Sequence, residues 1–99
     1  MVDLAATLAE RGRRYGKFVG HAVITQKIKD TMRTYEREYF AATEGVSWNR
    51  LAPDQREALE MIAHKIGKIL NGDPDYSDSW HDIAGYAKSV ADRLDGKVV

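Results

Sequence analysis

The stretch ILNGDPDYSD, residues 69–78, constrains the fold of this chain more than any other. Asn71-Gly72 is a helix C-terminal signal, and Pro74, which lacks an N–H, keeps the helix from resuming at once. Ser77 and Asp78 follow, either of which can cap a new helix by accepting from its first free N–H groups. One helix must stop and another start within a few residues. A connection this short makes the two run antiparallel.

Apolar spacing extends the pattern along the chain. A short first helix is predicted from Asp3 to about Arg11, with Leu4 and Leu8 on one side, and Gly12 and Gly16 break it. A second helix runs from roughly Val19 to Ala41. Its stripe is Ile24, Ile28, Met32, Tyr35 and Tyr39, in the steps of three and four that one helical face requires. Residues 44–51 form a connection, with Gly45 as the stop and Trp48 packed over a helix end. The third helix begins at Pro53, where a missing N–H does no harm, and Asp54 suits its positive first turn. Leu59, Ile62, Ile66 and Ile69 form its predicted core stripe. On the fourth the stripe is Trp80, Ile83, Ala87, Val90 and Leu94, and Gly96 ends it. No strand alternation or internal repeat is present. The expectation is all-α: one domain over residues 1–99, a small bundle of about four helices whose last two form an antiparallel hairpin.

A chain of 99 residues builds one modest core. The absence of cysteine excludes disulfides and thiolate metal sites. No apolar run suits a signal peptide or a membrane span, so a cytoplasmic protein without a membrane partner is expected. The net charge of zero hides an asymmetry. Residues 1–40 carry eight Lys/Arg and five Asp/Glu, a balance of +3, and residues 41–99 carry seven and ten, a balance of −3. No broad basic stripe exists, which argues against a nucleic-acid binder. Arg11, Arg13, Arg14 and Lys17 nevertheless bracket Tyr15, and a few cations suffice for a small phosphate-bearing ligand.

Off the core stripes, Glu57, Met61, His64 and Lys68 share one line of the third helix. Asp78, Asp82, Gly85 and Ser89 share one of the fourth. Solvated faces are the plain account of such charged lines. Gly67 and Gly85 count against it, because an interior helical glycine costs about 1 kcal/mol relative to Ala. Close approach of another backbone, a partner helix or a ligand is the usual compensation. A contact surface at these glycines is therefore expected, either for a homo-oligomer or for a pocket.

Two resemblances bear on function. Glu57-x-x-Glu60, then Ser79-x-x-Asp82, resembles the ExxE…ExxD pattern of MazG-like nucleoside triphosphate pyrophosphohydrolases. That likeness implies Mg²⁺ held by carboxylates, here Glu57, Glu60, Asp78 and Asp82, to bind a triphosphate and activate water. Ser79 departs from it at the third acidic position, and Asp78 stands one residue away. ERGRRYGKF (10–18), ITQKIKDTM (24–32) and DQREALEMIAHKIGKILNGDPDYSDSWHDIAGYA (54–87) together resemble an uncharacterised family of small bacteriophage proteins. This implies phage origin, a host-cell cytoplasmic location and a compact helical domain, and no established activity. The YG element before a helical hairpin is also similar to phage dATP/dGTP diphosphohydrolase-type proteins. Asp73-x-Asp75-x-Ser77 opens like a calcium loop but lacks its glycine and final Glu. His21, His64 and His81 have no paired metal spacing.

Three readings follow. In the first, the chain sequesters a phosphate-bearing nucleotide, such as a cyclic immune-signalling one, without turnover and without a cofactor. Arg11, Arg13, Arg14, Lys17, His64 and Lys68 would hold phosphates. Tyr15, Trp80 or Tyr86 would stack on a base, and Asp82 would accept from a base edge or ribose. The second is the Mg²⁺-dependent pyrophosphohydrolase. The third is a helical protein-interaction module.

Overall fold

The structure is a computed structural model that describes residues 3–43 and 48–97, with side chains described outside residues 34–43. It contains α1 (Leu4–Tyr15), α2 (Phe18–Thr43), a 3₁₀ turn (Trp48–Arg50), α3 (Pro53–Asn71) and α4 (Ser77–Leu94). No strand occurs among the described residues, and the all-α expectation holds. Also among these residues, no helix is long and apolar enough to cross a membrane. The Tyr35 and Tyr39 side chains and the stop at Gly45 lie outside the described residues.

Local chemistry accounts for most helix ends. Asp3 caps α1, its carboxylate accepting from the Ala6 N–H at 3.2 Å. Gly12, expected to break this helix, sits inside it, and no neighbour approaches the place a Cβ would take. The break comes at Gly16, whose φ of 74° lies in the region where L side chains are strained. The 3₁₀ turn places Trp48 beside Pro53, where α3 begins, and the Gln55 side chain accepts from the Ala52 N–H at 2.8 Å. Neither Ser77 nor Asp78 caps α4. Tyr76 holds the cap position without a side-chain bond, and Asp78 accepts from the Tyr76 hydroxyl at 2.8 Å. The turn before it closes on Asp73, whose carboxylate accepts from the Asp75 N–H at 2.9 Å. That is a capped acidic turn, not a calcium loop.

Helix α3 is central, with α2 and α4 both packed along it. Its buried residues are Ala58, Ala63, Gly67 and Ile69, whereas Leu59 of the predicted stripe is exposed. A helix gripped from two sides places small residues at its crossings, and the larger ones are displaced from the contact line. A Cβ on Gly67 would collide with Thr25 Oγ1 and crowd His21. Gly67 is therefore an intramolecular crossing point of α2 and α3, not the self-association notch expected from its distance from the apolar stripe. Gly85 faces open space, and nothing among the described residues explains a glycine there.

The α4 stripe is also shifted. Ser79 is buried and Ile83, Tyr86 and Val90 are half-buried, while Ala87 is exposed, Trp80 is 54% exposed and Leu94 61%. The Trp80 indole N–H donates to the Pro74 carbonyl at 2.8 Å, at the edge of the hairpin turn. Salt bridges Lys65–Asp82 (2.7 Å) and Arg93–Asp54 (2.5 Å) join α3 to α4, and Arg33–Glu60 (2.7 Å) joins α2 to α3.

Gly67 and Gly85 give opposite expectations. Gly85→Ala should raise stability by about 1 kcal/mol, since it gains helix propensity and meets nothing. Gly67→Ala should lower it despite the same propensity gain, because the new methyl meets the buried Thr25. Thermal melts of the two variants check this, and stabilisation by Gly67→Ala would show the crossing to be misplaced.

Candidate functional site

At the end of α3 opposite the Pro53 start, Asn71 ties the N-terminal part of the chain to the hairpin. Its amide Nδ2 donates to the carbonyls of Tyr15 and Lys17, both at 2.8 Å, across the α1–α2 junction. The Asp73 N–H donates to the Arg14 carbonyl at 2.6 Å. These bonds require backbones in near contact. A Cβ at Gly16 or Gly20 would run into Asn71, and one at Gly72 into Arg14 and Tyr15. The segment that joins α1 to α2 at Gly16 is thus pinned against the hairpin.

The pinning leaves a cleft of about 460 Å³ between α1, the α1–α2 junction, α2 and α3. Leu8, Tyr15 and Phe18 give it apolar and aromatic wall, Arg11, Lys17 and Lys68 give it charge, and His21 and two glycines complete it. Among the described residues, no carboxylate lines it. The Lys68 ammonium lies 4.7 Å from the centre of the Tyr15 ring, within cation–π range. Tyr15 meets Tyr76 edge to face at 6.0 Å.

The cleft floor is electropositive beyond its lining. The His21 and His64 rings are 5.7 Å apart, and Lys29 is 3.0 Å from His64 Nε2. Lysine is donor only, so Nε2 accepts and the neutral ring carries its proton on Nδ1. Burial lowers the His21 pKa from its ordinary value, and Lys68 and His64 lower it further. Burial, then Lys29 and Lys68, does the same to His64. Lys68 is lowered by burial, Lys65 and Arg11, with only Asp82 opposing. His21 is 7% exposed and its Nε2 has no hydrogen-bond partner, nor has the Oγ1 of Thr25, which is 1% exposed. Buried polar atoms without partners are few in folded proteins.

Of the ligand residues expected from sequence, Arg11, Tyr15, Lys17 and Lys68 come together in the cleft, with His64 just behind it. Arg13 and Arg14 are salt-bridged to Glu10. Arg14 also donates to the Tyr76 hydroxyl at 2.8 Å and lies 4.6 Å from that ring's centre. Trp80, Asp82 and Tyr86 are on α4, outside the lining. Sequence reasoning missed Leu8, Phe18 and His21 as parts of one site. His21 and Thr25, four apart beside the apolar Ile24–Ile28 line of α2, were the available sign of buried polar groups.

The four carboxylates of the Mg²⁺ pattern are dispersed. Glu57 and Glu60 flank a shallow hollow beside Trp48, Glu60 pairs with Arg33, Asp78 accepts from Tyr76, and Asp82 pairs with Lys65. No three His, Cys, Asp or Glu side chains among the described residues are grouped to hold a metal ion. Comparison with family models, curated proteins and solved structures finds no match for the chain.

The depressed histidines carry a pH signature. Above the ordinary value of 6.5 both histidines are neutral, folded or unfolded. Below it the unfolded chain binds protons first, so stability should fall with pH until the lower folded-state values are passed. Asp54 and Asp82, lowered from 3.8, titrate in a more acidic range. Melts from roughly pH 7 to 5 should show a declining midpoint, and added phosphate should oppose the decline by favouring the charged rings. A midpoint flat across that range would remove the electropositive cluster from the account.

Proposed function

We propose that the chain binds a small phosphate-bearing ligand of the nucleotide class in the α1–α3 cleft and holds it without turnover. The observation that carries this reading is a cation-lined, carboxylate-free cleft with aromatic wall. Arg11, Lys17 and Lys68 converge on it, and among the described residues none of the three is salt-bridged to a carboxylate. Arg11 offers a planar fork for phosphate oxygens and the two lysines add point charges. Tyr15 and Phe18 provide ring surface on which a base can lie. Its volume falls in the range of small-molecule sites, roughly 300–1,000 Å³. An anion there offsets the burial and the neighbouring cations that together depress Lys68, His21 and His64.

The dispersal of the carboxylates supports a reading without turnover: Glu57 and Glu60 flank the hollow beside Trp48, Glu60 pairs with Arg33, Asp78 accepts from Tyr76 and Asp82 pairs with Lys65. The likeness to small bacteriophage proteins extends the proposal to a biological role: capture of a host signalling nucleotide in the host cytoplasm.

Titration calorimetry against nucleoside triphosphates and cyclic di- and trinucleotides tests the reading. Arg11→Ala and Lys68→Ala should each weaken binding by about tenfold or more, the loss of one charge-assisted contact. Arg13→Ala should change little, since its partner is Glu10. Affinity should fall as salt rises. Pyrophosphate or monophosphate released in the presence of Mg²⁺ would refute retention without turnover, and no binding across the panel would refute the nucleotide reading.

A further inference from the structure

The hairpin of α3 and α4 has two long sides, and among the described residues the ion pairs between the two helices, Lys65–Asp82 and Arg93–Asp54, run along only one of them. With 3.6 residues per turn, the opposite side of α4 carries Trp80, Ala84, Ala87, Ala91 and Leu94, in steps of four and three. All five are exposed. On α3 the matching side carries Leu59, 40% exposed, Leu70, 68% exposed, and the half-buried Ile66, with the buried Ala63 between them. Antiparallel helices related in this way turn both rows to the same side. The result is one uncharged apolar surface two helices wide.

We infer that a second copy of this chain covers that surface, joining two hairpins face to face as a four-helix layer pair. The exposed area leaves room for a partner: the chain exposes 7206 Å², whereas a compact monomer of 11.2 kDa exposes about 5,700 Å². The difference exceeds the roughly 800 Å² that each partner buries in a standard interface. Two features favour a second copy as that partner. First, the residues named on this face carry no charge, so a twofold axis through them brings no like charges together, as a self-complementary patch requires. Second, Trp80 and Leu94 stand seven residues either side of Ala87. Antiparallel pairing of α4 with its own copy sets each Trp80 against a Leu94, and the small alanines between them let the backbones approach. Ala87 then faces its own copy.

Light scattering should give about twice the 11.2 kDa chain mass, and Ala87→Glu should return it to 11.2 kDa with an unchanged helical circular dichroism spectrum. The chain has no cysteine, so a single introduced thiol reports geometry. Ala87→Cys should form a disulfide-linked dimer on mild oxidation, and Ser89→Cys, on the other side of α4, should not. A monomeric wild type at high concentration would overturn the inference. So would a dimer indifferent to Ala87→Glu, or equal cross-linking at both positions. None of these outcomes involves the cleft, so they stand apart from the nucleotide reading.

Discussion

Everything at the N-terminal end of this molecule depends on the side-chain amide of Asn71. Helix α1 buries none of its residues. Without a tether its apolar contacts could not fix its position. Asn71 supplies two hydrogen bonds to consecutive stretches of backbone, one carbonyl ending α1 and one opening α2. A single planar amide thus sets the angle between the helices, and Gly16, Gly20 and Gly72 clear the space for it. The bonds are neutral and short-ranged, so they hold position without adding charge to the cleft beside them.

That position determines the electrostatics. Neighbouring acids are taken up by other cations: Glu10 by Arg13 and Arg14, Glu60 by Arg33, Asp82 by Lys65. What remains around the cleft is positive, and burial keeps water from screening it fully. The lowered pKa values of Lys68, His21 and His64 express burial first and neighbouring cations second, with Asp82 opposing at Lys68 and Glu60 and Glu57 at His64. A bound phosphate supplies what the chain withholds, and the proton affinity of the cluster rises with it.

Much of this could be read from the residues. Asn71-Gly72, Pro74 and Pro53 mark helix ends whatever their tertiary setting, so the hairpin was legible. The core line was not, because α3 and α4 have apolar arcs wider than one contact and spacing alone does not say which part is covered. Leu59 and Trp80 fit the stripe as well as Ile69 and Ile83 do, yet the first two are exposed. Gly67 looked like an external notch because its partners, His21 and Thr25, lie on a helix more than forty residues away. The cleft cations were individually visible around Tyr15, but their meeting with Lys68 depends on Asn71, whose side chain serves a turn signal and a latch at once.

The same geometry explains why so little of the chain is buried. Ala58, Ala63 and Ile69 are the buried apolar residues among those described, and the radius of gyration is 16.2 Å, against about 13 Å for a compact domain of this length. Three helices laid side by side leave both broad faces of the layer open. On one face α1 crosses and encloses the cationic cleft with Lys68. On the other lie Leu59, Leu70, Trp80 and Leu94. Lys68 and Ile66 point to opposite sides of α3, so a ligand in the cleft and a copy on the hairpin would not compete for surface. Two chains joined through the apolar face would carry their clefts outward, one on each side. The thin layer that makes the single chain marginal is also what separates the two surfaces cleanly.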